Sequence, residues 1–122
     1  MDEARLGAVE ARFADLIWRN APIGSGELVK LCAQELEWKK STTYTVLKKL
    51  CDRGIFQNQG GTVTALLSRQ TFYARQSQRF VEEHFGGSLP SFLAAFASGK
   101  KLSSQDLEDI RRMLDAFDKE VL

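Results

Sequence analysis

The chain has 122 residues, of which 43% are hydrophobic, 27% charged and 10% aromatic, a composition typical of a folded globular protein. Its length excludes a large multidomain enzyme. No apolar run is long enough to cross a membrane, and residues 1–5 lack a secretory pattern, so the sequence predicts a soluble, cytoplasmic protein with no membrane contact.

Charge is distributed unevenly, although the formal net charge is only +1. Residues 38–80 hold eight Lys and Arg against one acidic residue, whereas the segments on either side are mildly acidic. A phosphate backbone would bind to this central third, because each neutralised phosphate releases condensed counterions. A solvated basic surface that binds no nucleic acid remains the alternative interpretation.

Three helices are predicted in the first half of the chain. Apolar residues at helical spacing predict the first over about residues 8–19 and the second over about residues 26–37, with Ser25 as the N-cap of the second. The third is predicted over residues 41–53, and Gly54 follows where a left-handed residue ends a helix.

The third helix has two faces on a helical wheel. The face predicted to pack inward carries Thr43, Val46, Leu47 and Leu50. The opposite face is polar and mostly cationic, with Ser41, Tyr44, Thr45, Lys48 and Asp52, and with Lys49 beside them.

A β-hairpin is predicted next, because two β-prone runs at residues 55–58 and 63–67 flank Gln59-Gly60-Gly61-Thr62. Three helices and a hairpin predict a winged helix-turn-helix, whose second paired helix enters the major groove. We therefore assign residues 1–70 to a DNA-binding domain with residues 41–53 as its recognition helix.

Residues 71–122 are predicted to form three further helices, with Thr71, Ser88 and Ser103 as their N-caps. About fifty residues can hardly bury the apolar side chains of these helices alone, so they need either the N-terminal domain or a second chain. We expect a homodimer, because its two-fold axis suits a palindromic DNA site. The residues predicted to form the dimer interface are Phe92, Phe96, Leu107, Ile110, Leu114 and Phe117.

The side chains around the third helix predict two roles in binding double-stranded DNA. Hydroxyl groups can hydrogen-bond base edges, and we assign this role to Ser41, Thr42, Tyr44 and Thr45. Ammonium groups suit phosphates, and we assign that role to Lys39, Lys40, Lys48 and Lys49.

Neither catalysis nor a metal site is predicted. The isolated cysteines Cys32 and Cys51 and the single histidine, His84, cannot supply a structural zinc site. No nucleophile motif or phosphate-binding glycine loop is present, so we expect a protein that is not an enzyme and needs no cofactor.

The order and spacing of several motifs resemble the penicillinase-repressor family of bacterial transcription regulators, which includes the β-lactamase and methicillin-resistance repressors. The likeness covers nearly the whole chain. The residues that carry it are Leu6, Glu10, Trp18, Pro22, Glu27-Leu28-Val29, Trp38, Ser41-Thr42, Thr45 to Leu50, Arg53-Gly54-Ile55, Phe85 to Ser88, Phe96, Leu102-Ser103, Leu107 and Leu114.

This resemblance implies a homodimeric repressor that binds a palindromic operator through a mainly α fold: a winged helix-turn-helix followed by three dimerisation helices. It also implies release by an upstream sensor or protease that leads to cleavage between Asn and Phe in the second C-terminal helix. The matching bond is Ala95–Phe96, where alanine replaces the asparagine. The uncharged hairpin also departs from the family, whose hairpins tend to be basic, and implies weaker anchoring to phosphates.

Two other functions remain open from the residues alone. A neutral hairpin and a hydroxyl-rich helix also suit a winged-helix module that binds another protein. A small-ligand-sensing regulator would instead hold an effector among the aromatic residues of the C-terminal region.

Overall fold

Six helices and three short strands make up residues 6–121, the part of the chain that this computed structural model describes. The fold is mainly helical, as the sequence predicts. The elements are α1 (Ala8–Asn20), β1 (Ile23–Gly24), α2 (Ser25–Leu36), α3 (Lys40–Asp52), β2 (Phe56–Gln59), β3 (Thr62–Ala65), α4 (Arg69–Phe85), α5 (Leu89–Gly99) and α6 (Ser104–Val121).

The helix-turn-helix consists of α2 and α3. Helix α2 ends at Glu37, whose left-handed backbone (φ 57°) lets the Trp38 N–H reach the Cys32 carbonyl oxygen at 3.3 Å. After α3, Gly54 has φ +80°, which confirms its predicted left-handed place. The predicted cap of α2 is wrong: Ser25 is the first helical residue, Gly24 occupies the N-cap, and no side chain caps the helix.

The sheet is antiparallel with the strand order β1-β3-β2. The hairpin β2–β3 is confirmed, and its two-residue turn consists of Gly60 and Gly61, with φ of 61° and 85°. Both glycines adopt the positive φ that a tight turn requires and that other residues rarely take. We call residues 56–65 the wing. Strand β1 was not predicted, because its two residues are too few to show a periodic pattern.

The core of the N-terminal part lies among α1, α2, α3 and the sheet. Its fully buried residues are Phe13, Ala14, Ile17, Leu28, Cys32, Leu50, Phe56 and Val63. Burial of large apolar side chains on three helices and two strands stabilises this arrangement, since each contributes on the order of 1.5–3 kcal/mol. The same packing leaves the other side of α3 in solvent.

The first residues of helix α4 pack against the core of the N-terminal part. The Phe72 ring packs 5.8 Å from that of Trp18, whose indole Nε1 donates to the Leu67 carbonyl oxygen at 2.9 Å. The prediction that Thr71 caps α4 is wrong, because the helix begins at Arg69 and the Ser68 hydroxyl accepts from the Thr71 N–H at 3.0 Å.

The later predicted caps are present. The Ser88 hydroxyl accepts from the Ser91 N–H at 3.1 Å, and the Ser103 hydroxyl accepts from the Asp106 N–H at 3.0 Å. Gly86 and Gly87 separate α4 from α5 with positive φ.

The chain divides into two compact units, Met1–Arg79 and Phe80–Leu122, and α4 contributes to both. These compact units do not test the predicted boundary after residue 70 between the DNA-binding domain and the dimerisation region, which stays a prediction. Within residues 6–121, no helix combines the length and hydropathy that a membrane crossing requires.

Candidate nucleic-acid interface

Helix α3 has one anchored face and one solvent-exposed face. Thr43, Leu47 and Leu50 are almost fully buried, with exposed fractions of 1%, 2% and 0%. The Thr43 hydroxyl donates to the Lys39 carbonyl oxygen at 3.1 Å, so the buried hydroxyl keeps a partner. These contacts hold the helix by one side and leave the other side free to meet a ligand.

Three predicted hydroxyl-bearing residues, Ser41, Thr42 and Thr45, lie exposed in the first half of α3. Thr45 donates its hydroxyl hydrogen to the Ser41 carbonyl oxygen at 2.9 Å, which orients the side chain. Its oxygen can still accept a hydrogen bond, and the same carbon also carries a methyl group. The three side chains therefore present acceptors, donors and a methyl group on one exposed surface.

Tyr44 is placed differently from these three residues. Its ring is half-buried against the core, and its hydroxyl donates to the Ser25 hydroxyl oxygen at 3.1 Å. The Ser25 N–H in turn donates to the carbonyl oxygen of Gly61, in the turn of the wing, at 2.8 Å. This chain of hydrogen bonds connects α3 to the wing through the first residue of α2, and it is why Tyr44 departs from the outward face of the helical wheel.

The lysines at the two ends of α3 differ in their partners. Within the described residues, Lys39 and Lys40 are exposed and make no ion pair. Lys48 Nζ lies 2.9 Å from Asp52 Oδ2, and Lys49 Nζ lies 2.9 Å from Glu10 Oε2 of α1. Phosphate would therefore find free ammonium groups near the start of α3 and paired ones near its end.

Glu10 is held by two donors, so its charged form is favoured. The hydrogen bond from Lys49 lowers the pKa of the Glu10 carboxyl, and the Gly7 N–H, which donates to Glu10 Oε1 at 3.1 Å, lowers it further. On the neighbouring pair, the carboxylate of Asp52 raises the pKa of Lys48. Lys48 therefore stays cationic at neutral pH.

The wing next to α3 is neutral. Residues 54–68 contain no charged residue and no histidine, and Asn58, Gln59 and the two turn glycines are exposed. Gln57 Nε2 donates to Gln59 Oε1 at 2.6 Å, which aligns the two amides along β2. This wing offers amide hydrogen bonds where a basic wing would offer charge.

The residues predicted for dimerisation lie on the surface of the C-terminal helices. Exposed fractions are 47% for Phe96, 40% for Leu107, 55% for Leu114 and 53% for Phe117, while Phe92 and Ile110 are partly buried. The phenylalanines of α4 and α5 contact one another, with 5.6 Å between the ring centroids of Phe85 and Phe92. The α6 side chains form an apolar stripe that the described residues leave uncovered.

Comparison with known proteins identifies the family. The family model described as Penicillinase repressor matches residues 6–116. The chain belongs to the penicillinase repressor family. A penicillinase repressor of Bacillus licheniformis is 21% identical over 115 residues, covering 91% of this chain and 90% of the relative. The methicillin resistance regulatory protein MecI of Staphylococcus aureus is 18% identical over 114 residues, covering 90% and 93% of the two chains.

Members of the penicillinase repressor family are winged-helix transcriptional repressors and not enzymes. The range matched by the family model extends from α1 to most of α6, and therefore includes both the candidate interface and the apolar C-terminal helices. The resemblance in the sequence is confirmed over this range. The assignment of individual residues to DNA or to a second chain stays a prediction.

The fold brings to this repressor's interface two residues that sequence reasoning did not place there, Glu10 and Ser25, and it pairs Asp52 of the predicted outward face with Lys48. Glu10 and Asp52 neutralise lysines of α3, and Ser25 connects Tyr44 to the wing. The spacing of Lys48 and Asp52, four residues apart in a helix, could have revealed one pair. No local signal could have revealed Glu10 with Lys49, because 39 residues separate them.

Proposed function

We propose that the protein is a homodimeric bacterial repressor that binds a palindromic operator in double-stranded DNA through α3, the recognition helix. The observation that carries this proposal is the division of α3 into a buried face and an exposed face of hydroxyl and ammonium groups. Ser41, Thr42 and Thr45 read base edges in the major groove. Tyr44 lies beside this exposed surface and not on it, because its ring is half-buried and its hydroxyl donates to Ser25.

The lysines set affinity more than sequence preference. Lys39 is the N-cap of α3 and Lys40 is its first residue, and no side chain caps the helix, so ammonium groups and helix dipole would act together on a phosphate. Lys48 and Lys49 reach phosphates by exchanging a carboxylate for a phosphate oxygen. Exposed ion pairs are worth little, so this exchange is easy.

Dimerisation rests on the apolar stripe of α6. A stripe of half-exposed Leu107, Leu114 and Phe117 is unfavourable in water, and a second copy related by a two-fold axis covers it with the same stripe. Phe92, Phe96 and Ile110 extend the surface. Two winged domains on one axis then meet the two halves of a palindrome.

Release of the operator would act on these C-terminal helices. The Ala95–Phe96 bond lies in α5, and both residues are exposed. Cleavage there by a protease under an upstream sensor would divide α5 and remove α6 from the DNA-binding part. Such a repressor works in the cytoplasm, where its DNA is.

An electrophoretic titration against the DNA upstream of its own gene, at two salt concentrations, tests the proposal. We expect sequence-selective binding with two chains per duplex, and affinity that falls as salt rises. A winged-helix module for protein partners would show no selective binding at low salt.

Small-ligand sensing is a second candidate, with a site other than the predicted one: an open pocket of about 510 Å³ lies in the N-terminal unit rather than among the aromatic residues of the C-terminal region. Its lining is Trp18, Arg19, Ala21, Pro22, Thr64, Ala65, Ser68 and Arg69. The volume falls within the range of about 300–1,000 Å³ for small-molecule sites. A ligand that raises the melting temperature and weakens DNA binding would support this function.

A further inference from the structure

The neutral wing must contact DNA in a different way from a basic wing. Cationic side chains bind phosphates and position a protein on the duplex without reading its sequence. With no charge in residues 54–68, this wing gains little by lying along a phosphate backbone. Its exposed amides are suited to hydrogen bonds with base edges.

Gln59 is the amide best placed for such a contact. Gln57 and Gln59 lie two residues apart, hence on the same face of β2, and the 2.6 Å hydrogen bond between them engages Gln59 Oε1. Within residues 6–121, Gln59 Nε2 has no hydrogen-bond acceptor, so it is a free donor. The next two residues are glycines, so the turn after Gln59 carries no side chain that would keep the Gln59 amide out of a groove.

A free amide donor beside a narrow glycine turn fits the minor groove of A·T pairs. That groove is about 6 Å wide and displays the acceptors adenine N3 and thymine O2, whereas a G·C pair adds the guanine amino group, itself a donor. A donor facing a donor forms no hydrogen bond, so Gln59 favours A·T. Asparagine and glutamine are among the residues that read this groove in other proteins.

The hydrogen-bonded link described above connects the wing to α3, in addition to the core packing of the wing strands. The Tyr44 hydroxyl donates to the Ser25 hydroxyl at 3.1 Å, and the Ser25 N–H donates to the Gly61 carbonyl at 2.8 Å. Gly61 is two residues from Gln59 and belongs to the same turn. Through Ser25, α3 and the turn of the wing are therefore directly connected.

We propose that Gln59 reads A·T pairs in the minor groove beside each half-site, and that Tyr44, acting through Ser25, is a positioning residue that sets which pair is read. This inference rests on the proposed function, since it requires α3 in the major groove. It adds a specificity-determining contact in the wing, which carries no charge.

The test begins with a selection of duplexes from a random 40-base-pair library by the full chain, followed by affinity measurements on the tightest duplex. Each flanking A·T pair is changed to G·C and, separately, to inosine·cytosine. Inosine lacks the amino group of guanine, so this pair resembles A·T in the minor groove and G·C in the major groove. We expect G·C to weaken binding about tenfold at one flanking position in each half-site, and inosine·cytosine to restore it.

Two sets of variants assign the effect to residues. Gln59→Ala should bind A·T and G·C flanks equally while keeping the selected central sequence, and Asn58→Ala, an exposed amide on the opposite face of β2, should keep the wild-type preference. Tyr44→Phe and Ser25→Ala should each reduce the preference, and the double variant should reduce it no further than either alone. A purely structural defect would instead weaken binding to every duplex equally.

Each failure has a distinct meaning. Enrichment of no duplex overturns the proposed function and this inference with it. Selective binding in which inosine·cytosine behaves like G·C, or in which Gln59→Ala keeps the A·T preference, overturns the Gln59 assignment alone. Additive effects of Tyr44→Phe and Ser25→Ala overturn the positioning role.

Discussion

At the scale of single residues, two carboxylates compete with DNA for the lysines of the recognition helix. Asp52 holds Lys48 from the same helix, and Glu10 holds Lys49 from α1. Both lysines are well exposed, so water and salt screen these attractions and a phosphate can displace the carboxylate. Fewer unpaired positive charges therefore face solvent in the segment 38–80 than its number of basic residues suggests.

Asp52→Asn should strengthen DNA binding. The change frees Lys48 for a phosphate and removes a negative charge from the C-terminal end of α3, where the helix dipole disfavours it. We expect affinity to rise because Lys48 then reaches its phosphate without displacing a carboxylate, and we expect the slope of log affinity against log salt to steepen by less than about 0.9 for each half-site. Titrations at several salt concentrations measure this slope.

The matched control for this change is Glu108→Gln on α6. Glu108 and Arg112 form an exposed pair with the same four-residue spacing as Lys48 and Asp52, in the reverse order along the helix and outside the proposed DNA interface. An equal change of slope in both variants would show that the effect is one of net charge and not of Lys48.

Glu10 should make part of the stability depend on pH. Its pKa is lowered in the folded protein, so the stabilisation is present above the ordinary value of 4.5 and is lost as the pH falls through the lower, folded value. Glu10→Gln should therefore lower the melting temperature at pH 7, with a loss of less than about 1 kcal/mol, and this difference should shrink below pH 4.5. A difference that stays constant down to pH 3 would contradict the role of the carboxylate charge.

At the scale of elements, α3 depends on its buried side for its position and on its exposed side for recognition. Leu50 has no exposed surface and contributes to the core shared with α1, α2 and the sheet. Leu50→Ala removes buried methyl groups and leaves a cavity. We expect a loss of about 2–5 kcal/mol in the free energy of unfolding, measured by urea denaturation.

Ser41→Ala is the control for this change, because Ser41 is exposed on the same helix. We expect it to change stability by less than about 0.5 kcal/mol. Similar losses in both variants would show that α3 is not anchored by the face assigned here.

The helices and the hairpin were predictable because their signals are local. The apolar spacing of α1 to α3 and the Gly60-Gly61 turn each specify an element within a few residues. The outward face of α3 followed from the same periodicity, so the positions of Ser41, Thr42, Thr45 and the lysines did too.

What the sequence did not predict depends on contacts between distant residues. Strand β1 exists because Ile23 and Gly24 pair with Val63 and Thr62, and neither segment signals the other. Ser25 was expected to cap α2, but its hydroxyl accepts from Tyr44 instead. A helical wheel assigns Tyr44 to the outside, while tertiary packing turns its ring towards the core.

At the scale of the whole molecule, the proposed dimer explains why the C-terminal helices expose so much apolar surface. Leu107, Leu114 and Phe117 are 40–55% exposed in the single chain. Covering these side chains with a second copy stabilises the dimer by roughly 25 cal/mol for each Å² of apolar surface removed from water. The same two-fold axis duplicates the DNA-binding surface.

Leu114→Glu should dissociate this dimer, because it places a charge in the middle of the apolar stripe. We expect sedimentation equilibrium to shift from two chains to one at micromolar concentration, and operator binding to weaken with it. Gln105→Glu adds the same charge to α6 at a polar position and should leave the mass unchanged. A dimer that survives Leu114→Glu would place the contact elsewhere.

The most direct test of the recognition helix compares Thr45→Ala and Lys40→Ala on a selected duplex and on its scrambled version, at two salt concentrations. Thr45→Ala should reduce the preference for the selected duplex by about five- to tenfold and leave the salt slope unchanged. Lys40→Ala should weaken binding to both duplexes alike and lower the slope by about 0.9 for each half-site. If both variants change both duplexes and the slope equally, the outward face of α3 does not read DNA.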